Sequence, residues 1–220
     1  MHLLILGGTG PAGIKTIEEA LTAAHTLVLY ARSPGKFPDA IATHPAVTVV
    51  EGQLTDREKL TEAMRGVDAV LSALGPSTKS GPFHPSDTPL AHAYSLVIAV
   101  MKEQGVSRLI ALGTASMKDE HDRFSIVFAA LVSGVALFAR NAYKDVVAVG
   151  EVIRTEGADL QWTIVRVPIL TDNDTTEVVA GYVGDGKTKT TLARAGFAHF
   201  LVTELEKGEW CQKAPLISSP

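Results

Sequence analysis

Cysteine is almost absent from this chain: Cys211 is the only one in 220 residues. An intramolecular disulfide is therefore impossible, and so is a zinc site built from several cysteines. A chain of this kind suits a reducing compartment, and the expected localisation is cytoplasmic. An excess of positive charge is missing too. With 20 Lys and Arg against 24 Asp and Glu, the net charge is -4, which provides no basic surface for nucleic acid. His-Glu-x-x-His and carboxylate–histidine clusters at metal spacing do not occur, so no metal is expected. Gly-x-Ser-x-Gly does not occur either, which removes support for a nucleophile elbow.

Long apolar runs are also scarce. The uncharged stretch from Phe124 to Ala139 lies between Arg123 and Arg140 and falls short of the roughly 20 residues a spanning helix needs. No membrane span is expected. The plainest reading is a buried or partly exposed helix. The sharper ones are an apolar lid over a substrate, a subunit interface, or a membrane-surface contact. The apolar start, Met1 to Leu6, has no basic leader and reads as a first strand rather than a signal peptide.

What is present is the composition of a folded protein, 46% hydrophobic and 20% charged. The length suits one domain over residues 1–220. Strand-like and helix-like segments alternate. Strands are expected at Leu3–Leu6, Leu27–Tyr30, Val47–Val50, Ala69–Ser72, Leu109–Leu112 and Trp162–Val167. Helices are expected from Pro11 to Ala24, from Asp56 as a cap to about Met64, up to about Gln104, and from about Asn141 to Glu156. A loop from Pro168 to Thr176 precedes a short extended piece near Tyr182, a helix from Arg194 to Glu206 and a strand near Leu216. This alternation predicts an α/β Rossmann-type doubly wound sheet, mainly parallel, in the order 3-2-1-4-5-6 with a short C-terminal strand and helices on both faces. Ligands of such sheets lie at the carboxyl ends of the strands.

The first strand runs into Gly7-Gly8-Thr9-Gly10-Pro11-Ala12-Gly13. Gly8, Gly10 and Gly13 fit G-x-G-x-x-G, and Gly7, Gly10 and Gly13 fit G-x-x-G-x-x-G. Either pattern alone is weak, but the context of an apolar strand before and an amphipathic helix after is the one that gives it meaning. Gly10 admits a pyrophosphate close to the backbone, and Gly13 admits the helix close to the strand. The amides at the helix start, near Pro11 and Ala12, face the anion, and Thr9 adds a hydroxyl. The second strand ends Tyr30-Ala31-Arg32-Ser33. An NAD site usually has an acid here for the ribose 2′-hydroxyl. Arg32 and Ser33 instead suit a 2′-phosphate, and the expected cofactor is NADP(H).

The chain resembles the atypical short-chain dehydrogenase/reductases, in the NAD(P)H-binding group that contains NmrA-like proteins and biliverdin-IXβ/flavin reductases. The matching residues are GGTGPAG, Tyr30-Ala31-Arg32-Ser33, Glu51-Gly52-Gln53-Leu54-Thr55-Asp56 and Val67-Asp68-Ala69-Val70. Leu112-Gly113-Thr114-Ala115-Ser116 and Trp162 to Pro168 complete the set, which covers residues 1 to about 170. The resemblance implies that Leu54 lies by the adenine. It places Ser72, Ala73, Leu74 and Gly75 along the ribose and nicotinamide, Gly113 and Thr114 beneath the nicotinamide, and Val167, Pro168 and Ile169 at the carboxamide. Gln53 departs from the Asp of many relatives.

A larger departure concerns chemistry. Pro34, Ile98, Val147 and Gly186 stand four residues after the four tyrosines, so Tyr-x-x-x-Lys is absent. Lys144 matches the lysine that holds the nicotinamide ribose in this group. Ser116 is placed either to bind a substrate carbonyl or to cap a turn. His121 and Asp122 lie nearby, and His121 reads as a solvated loop residue. The expected activity is an NADPH-dependent reductase acting on a small apolar or aromatic acceptor: a carbonyl, quinone, flavin or tetrapyrrole. An NmrA-like sensor without turnover and a non-redox isomerase or cyclase are the alternatives. A monomer and a homodimer both remain open.

Overall fold

Apolar strands buried on both faces need helices on both sides, and this chain supplies them in alternation. The structure, a computed structural model, describes residues 1–76 and 83–220. In order, β1 (His2–Leu6) leads to α1 (Pro11–Thr22), β2 (Thr26–Ala31), a short 3₁₀ turn (Pro34–Lys36) and α2 (Asp39–Ala42). Then come β3 (Val47–Glu51), α3 (Arg57–Ala63), β4 (Ala69–Ser72), α4 (Pro89–Gln104) and β5 (Arg108–Thr114). The remainder comprises α5 (Ile126–Phe138), α6 (Arg140–Thr155), β6 (Gln161–Val167), β7 (Ile169–Thr171), β8 (Val179–Gly181), β9 (Thr191–Ala193), α7 (Arg194–Lys207) and β10 (Leu216–Ser218).

The main sheet has the order β3-β2-β1-β4-β5-β6-β10-β8. It is parallel from β3 to β10, and only β8 is antiparallel, Ile217 facing Ala180. The expected Rossmann-type order is therefore present, and the short extended piece expected near Tyr182 is β8, which joins the sheet as its antiparallel edge strand. One apolar layer packs α3, α4 and α6 on the sheet around Leu4, Val97, Met101, Val149 and Ile153. The other packs α1 and α7 around Ile5, Ile17, Phe197 and Leu201.

Two local expectations change. The segment expected as a plain loop over 168–176 contains β7, which pairs in parallel with β9, Leu170 opposite Leu192. Three-residue strands are too short to show a period of two, so the sequence carries no sign of them. The apolar stretch forms α5, but Phe128 is the one side chain of that helix fully buried, and Ala139 breaks it from α6 by a bend of 117°. Among the described residues, no single helix is long and apolar enough to cross a membrane.

Candidate functional site

The site is assembled at one end of the sheet. Each strand from β1 to β6 delivers its carboxyl end there, and nearly every residue singled out in the sequence lies within a few positions of one. Gly7 to Gly13 join β1 to α1. Arg32 and Ser33 follow β2, and Leu54 follows β3. Ser72 ends β4, with Ala73, Leu74 and Gly75 after it. Gly113 and Thr114 end β5, and Val167 ends β6.

The glycine turn is shaped by contacts. Gly7 has φ +74°, and a Cβ there would meet the Ala73 carbonyl carbon at 2.7 Å and the Leu74 amide nitrogen at 2.8 Å. Gly13 leaves no more room: a Cβ would lie 2.3 Å from the Gly7 carbonyl oxygen. These two glycines let the turn lie against β4 and let α1 start directly behind it. Gly10 is different. Around a Cβ placed there the nearest atom is the Gly7 oxygen at 3.6 Å, with nothing else within 4 Å. Gly10 is also the N-cap of α1, with no side chain capping it and Pro11 next. The first-turn amides of Ala12 and Gly13 therefore have no capping side chain and stand at the positive end of the helix dipole. A donor set of this kind fits a dinucleotide pyrophosphate.

At the neighbouring corner, Arg32 is exposed. Among the described residues it forms no ion pair with an acidic side chain. Ser33 is the N-cap of the 3₁₀ turn that ends in Lys36, a second exposed cation the sequence reading did not single out. Below them the Tyr30 hydroxyl donates to the Gln53 carbonyl at 2.7 Å. A Cβ on Gly52 would collide with that ring. The Gly52-Gln53-Leu54 segment is thereby fixed over the end of β2, with Leu54 half-buried on the core.

Between β4 and β5 lies an apolar recess. Its walls include Leu74, Gly75, Leu90, Tyr94, Leu112, Gly113, Thr114, Met117, Val146 and Val149. Four of these are residues the sequence places along the nicotinamide. Gly113 is required by packing, since a Cβ would meet Ile164 at 2.5 Å and the Met117 sulfur at 2.9 Å. Tyr94 was passed over in the sequence because it has no lysine four residues on. Its hydroxyl meets the Ser72 hydroxyl at 2.7 Å. Burial pushes its pKa up to about 12, and the Ser72 hydrogen bond offsets only part of this. Ser72 itself is fully buried, so its hydroxyl serves Tyr94 rather than an open surface.

The remaining candidates separate. Lys144 is exposed on α6, two positions before Val146 of the recess wall. Ser116 is mostly buried. Its amide donates to the Thr114 hydroxyl at 3.2 Å, so Thr114, not Ser116, makes the turn after β5. The Val167 side chain is part of the core with Ile5 and Val165, while Pro168 is half-buried and Ile169 exposed at the rim. His121 stacks on Tyr182 at 4.7 Å and bonds Asp119 at 2.9 Å. Asp122 does not face the recess.

Two buried groups were missed. Arg166 is wholly buried in β6 and pairs with both Asp122 oxygens at 2.7 and 2.8 Å. It also donates to the carbonyls of Ala214 at 2.7 Å and Met117 at 3.0 Å. Burial raises the Asp122 carboxyl, but Arg166 and the amides of Asp119 and Val183 outweigh it and hold the pKa below its usual value. Asp145, fully buried on α6, accepts from His84 Nε2 at 2.8 Å and from the amides of Leu90 at 3.1 Å and Ala91 at 3.0 Å. It thereby caps α4, whose own N-cap residue, Thr88, has φ 51° and makes no side-chain cap. Asn141 adds a bond to the His84 carbonyl at 2.9 Å. Both have sequence signals: an arginine within an apolar strand must find a partner, and an acid on the apolar stripe of a helix must do the same. The sequence from Gly75 to Pro89, rich in Pro, Ser and Gly, reads as a loop suited to forming part of a substrate pocket; its residues 77–82 lie outside the described residues.

A family model described as NAD(P)H-binding matches residues 7–207. Isoeugenol synthase 1 of Clarkia breweri is 33% identical over 91 residues, 38% of this chain and 27% of that protein. The photosystem II assembly factor Ycf39 of Synechocystis sp. is 34% identical over 73 residues, 33% of this chain and 22% of that protein. The chain thus matches about a quarter of the length of these curated relatives. Among solved structures, a short-chain dehydrogenase/reductase from Veillonella parvula superposes with a TM-score of 0.83 at 17% identity, covering 100% of this chain and 94% of that one. A Veillonella short-chain dehydrogenase/reductase in complex with NADP gives 0.80 at 17%, with coverage of 100% and 94%. The anaerobillin reductase ChuY of Escherichia coli O157:H7 gives 0.70 at 20%, with 100% and 98% covered. These structural likenesses speak for the fold.

Proposed function

The chain belongs to the NAD(P)H-binding family, and we propose that within it this protein is an NADPH-dependent reductase for a small apolar or aromatic acceptor such as a carbonyl compound, quinone, flavin or tetrapyrrole. The apolar recess at the ends of β4 and β5 carries this reading. Tyr94 is its one titratable wall residue among those described, and burial keeps it protonated. The recess itself has room for about one water, ≈ 10 Å³, so the acceptor would lie over this wall and not inside it, and an apolar wall favours an apolar group over a charged one.

The residues divide the work. The amides of Ala12 and Gly13 hold the pyrophosphate, with the Thr9 hydroxyl beside them. Arg32 and Ser33 hold a 2′-phosphate, which supports NADPH over NADH. Lys144 holds the nicotinamide ribose, and Gly113 and Thr114 form the floor. Bound NADPH supplies a hydride to the acceptor. The Met117, Val146 and Val149 walls keep water from that position, and the chain from about residue 168, with Ile169 exposed, closes its rim. The acceptor then gains one proton, from solvent, the Ser116 hydroxyl or the Lys144 ammonium.

The absent Tyr-x-x-x-Lys favours one competing reading, a sensor that binds NADP(H) without turnover. Incubation with NADPH and a panel of quinones, flavins, dichlorophenolindophenol and aldehydes separates the two. Loss of nicotinamide absorbance with at least one acceptor is expected. Tight binding with no oxidation across the panel assigns the sensor.

A further inference from the structure

The helix α5 has no counterpart in the chemistry above. Its apolar side chains are turned outward: Ile126 is 75% exposed, Leu137 76% and Phe138 76%, with Phe124 just before it at 83%. Val127, Leu131 and Val135 are exposed as well. At about 100° per residue these positions cover roughly half of the helical circumference, one continuous face. Only the side bearing Phe128 is seated, against Ala115, Val183 and Leu216. An apolar helix face of that width is stable in an apolar surrounding and not in water.

The charges bracketing it have one sign. Arg123 and Arg140 stand at its two ends and are exposed, and Lys144 follows one turn later. From residue 123 through 144 there is no acidic residue. Of the acids just before, Asp119 and Asp122 are bound to His121 and Arg166, and Glu120 is exposed three positions from Arg123. We propose that α5 docks this protein on an anionic lipid surface, its apolar side chains entering the facing leaflet and Arg123 and Arg140 meeting headgroup phosphates and carboxylates. A second copy packed on this face about a twofold axis would bring its own flanking arginines toward Arg123 and Arg140, like charge against like, whereas an anionic leaflet neutralises them. The bend of 117° at Ala139 turns α5 away from the line of α6. From Ile126 to Phe138 the helix reaches about 20 Å, less than the ~30 Å of a bilayer core, so it lies on or in one leaflet and does not span. Cationic residues flanking an apolar helix are the usual means of holding such a segment at the interface.

Flotation of the full chain with vesicles tests this. Vesicles of phosphatidylcholine with phosphatidylserine are compared with phosphatidylcholine alone. The protein is expected to float with the first and to do so less in high salt. Leu137→Glu with Phe138→Glu is expected to lower binding at least about tenfold without lowering the melting temperature, because both side chains are already in water. Arg123→Glu with Arg140→Glu is expected to remove the preference for phosphatidylserine, each charge being worth about fivefold. No flotation with either composition overturns the proposal, as does flotation unchanged in Leu137→Glu/Phe138→Glu. Light scattering covers the rival occupant: a dimer that becomes a monomer in that variant, with no flotation, assigns the helix to a second copy and overturns the lipid assignment.

Discussion

Two corners of the same sheet end carry an arginine, and the two are used in opposite ways. At the end of β2, Arg32 is exposed, with no acidic side chain paired to it among the described residues. At the end of β6, Arg166 is 0% exposed and saturated by Asp122 and two carbonyls. The cost of desolvating a guanidinium is offset inside the fold for Arg166, which ties the β5 loop, β6 and the approach to β10 together. For Arg32 the charge stays hydrated until an anion arrives. A cation without an internal partner beside a helix start keeps its donors for an anion; one whose donors are consumed is architecture. Lys144 and Asp145 repeat the contrast in consecutive positions, the lysine outward and the acid fully buried.

The sharpest way to break this comparison is Arg166→Met. It leaves the Asp122 carboxylate unpaired and two carbonyls without a donor, and should cost about 3 kcal/mol or more of stability in chemical denaturation. An unchanged midpoint would remove the distinction drawn here. Next, Asp145→Ala should cost about 2 kcal/mol, since the amides of Leu90 and Ala91 and His84 lose their acceptor together. Lys144→Ala should leave the midpoint within about 0.5 kcal/mol and weaken NADPH and NADH alike. Arg32→Ala should likewise leave stability unchanged, and weaken NADPH about tenfold or more with NADH unaffected, read by fluorescence titration. Equal losses for both cofactors would sink the 2′-phosphate assignment.

The smallest effect is in pH. The Asp122 carboxyl has a folded pKa below its usual 3.8. Its contribution is therefore fully present above that usual value and is lost as pH falls through the lower folded one. Asp185 behaves the same way. Burial raises it, but the amides of Thr188, Lys187 and Tyr182 bring it down to about 2. The stability advantage of the wild type over Asp122→Asn should hold at neutral pH and shrink as pH falls below the usual carboxyl value of 3.8. An advantage that grows on acidification would contradict the ion pair.

The features legible in the sequence are those whose causes are local. The glycine turn, Arg32 beside it, the strand order and the Asp56 cap, which accepts from the Lys59 amide at 3.0 Å, each follow from a short stretch of residues. What the sequence hid depends on partners far along the chain. Asp122 meets Arg166 across 44 positions, and His84 meets Asp145 across 61. Periodicity assigns such residues to a strand or helix but says nothing of which other element will satisfy them. Arg166 was read within the Trp162–Val167 strand as part of a family resemblance, and its burial was not anticipated. The apolar stretch at 124–139 was recognised as a helix, but not how far it stands out from the rest, because hydropathy cannot report which neighbours are available to cover it.

One consequence of the Asp145 cap concerns motion. Its carboxyl oxygens hold the amides that open α4 and the imidazole of His84, and Asn141 holds His84 by its carbonyl. The first two turns of α6 and residues 84–91 therefore travel as one body. Lys144 lies on that body. The same carboxylate thus joins the helix that carries the solvent-facing Lys144 to the helix whose Leu90 and Tyr94 wall the recess.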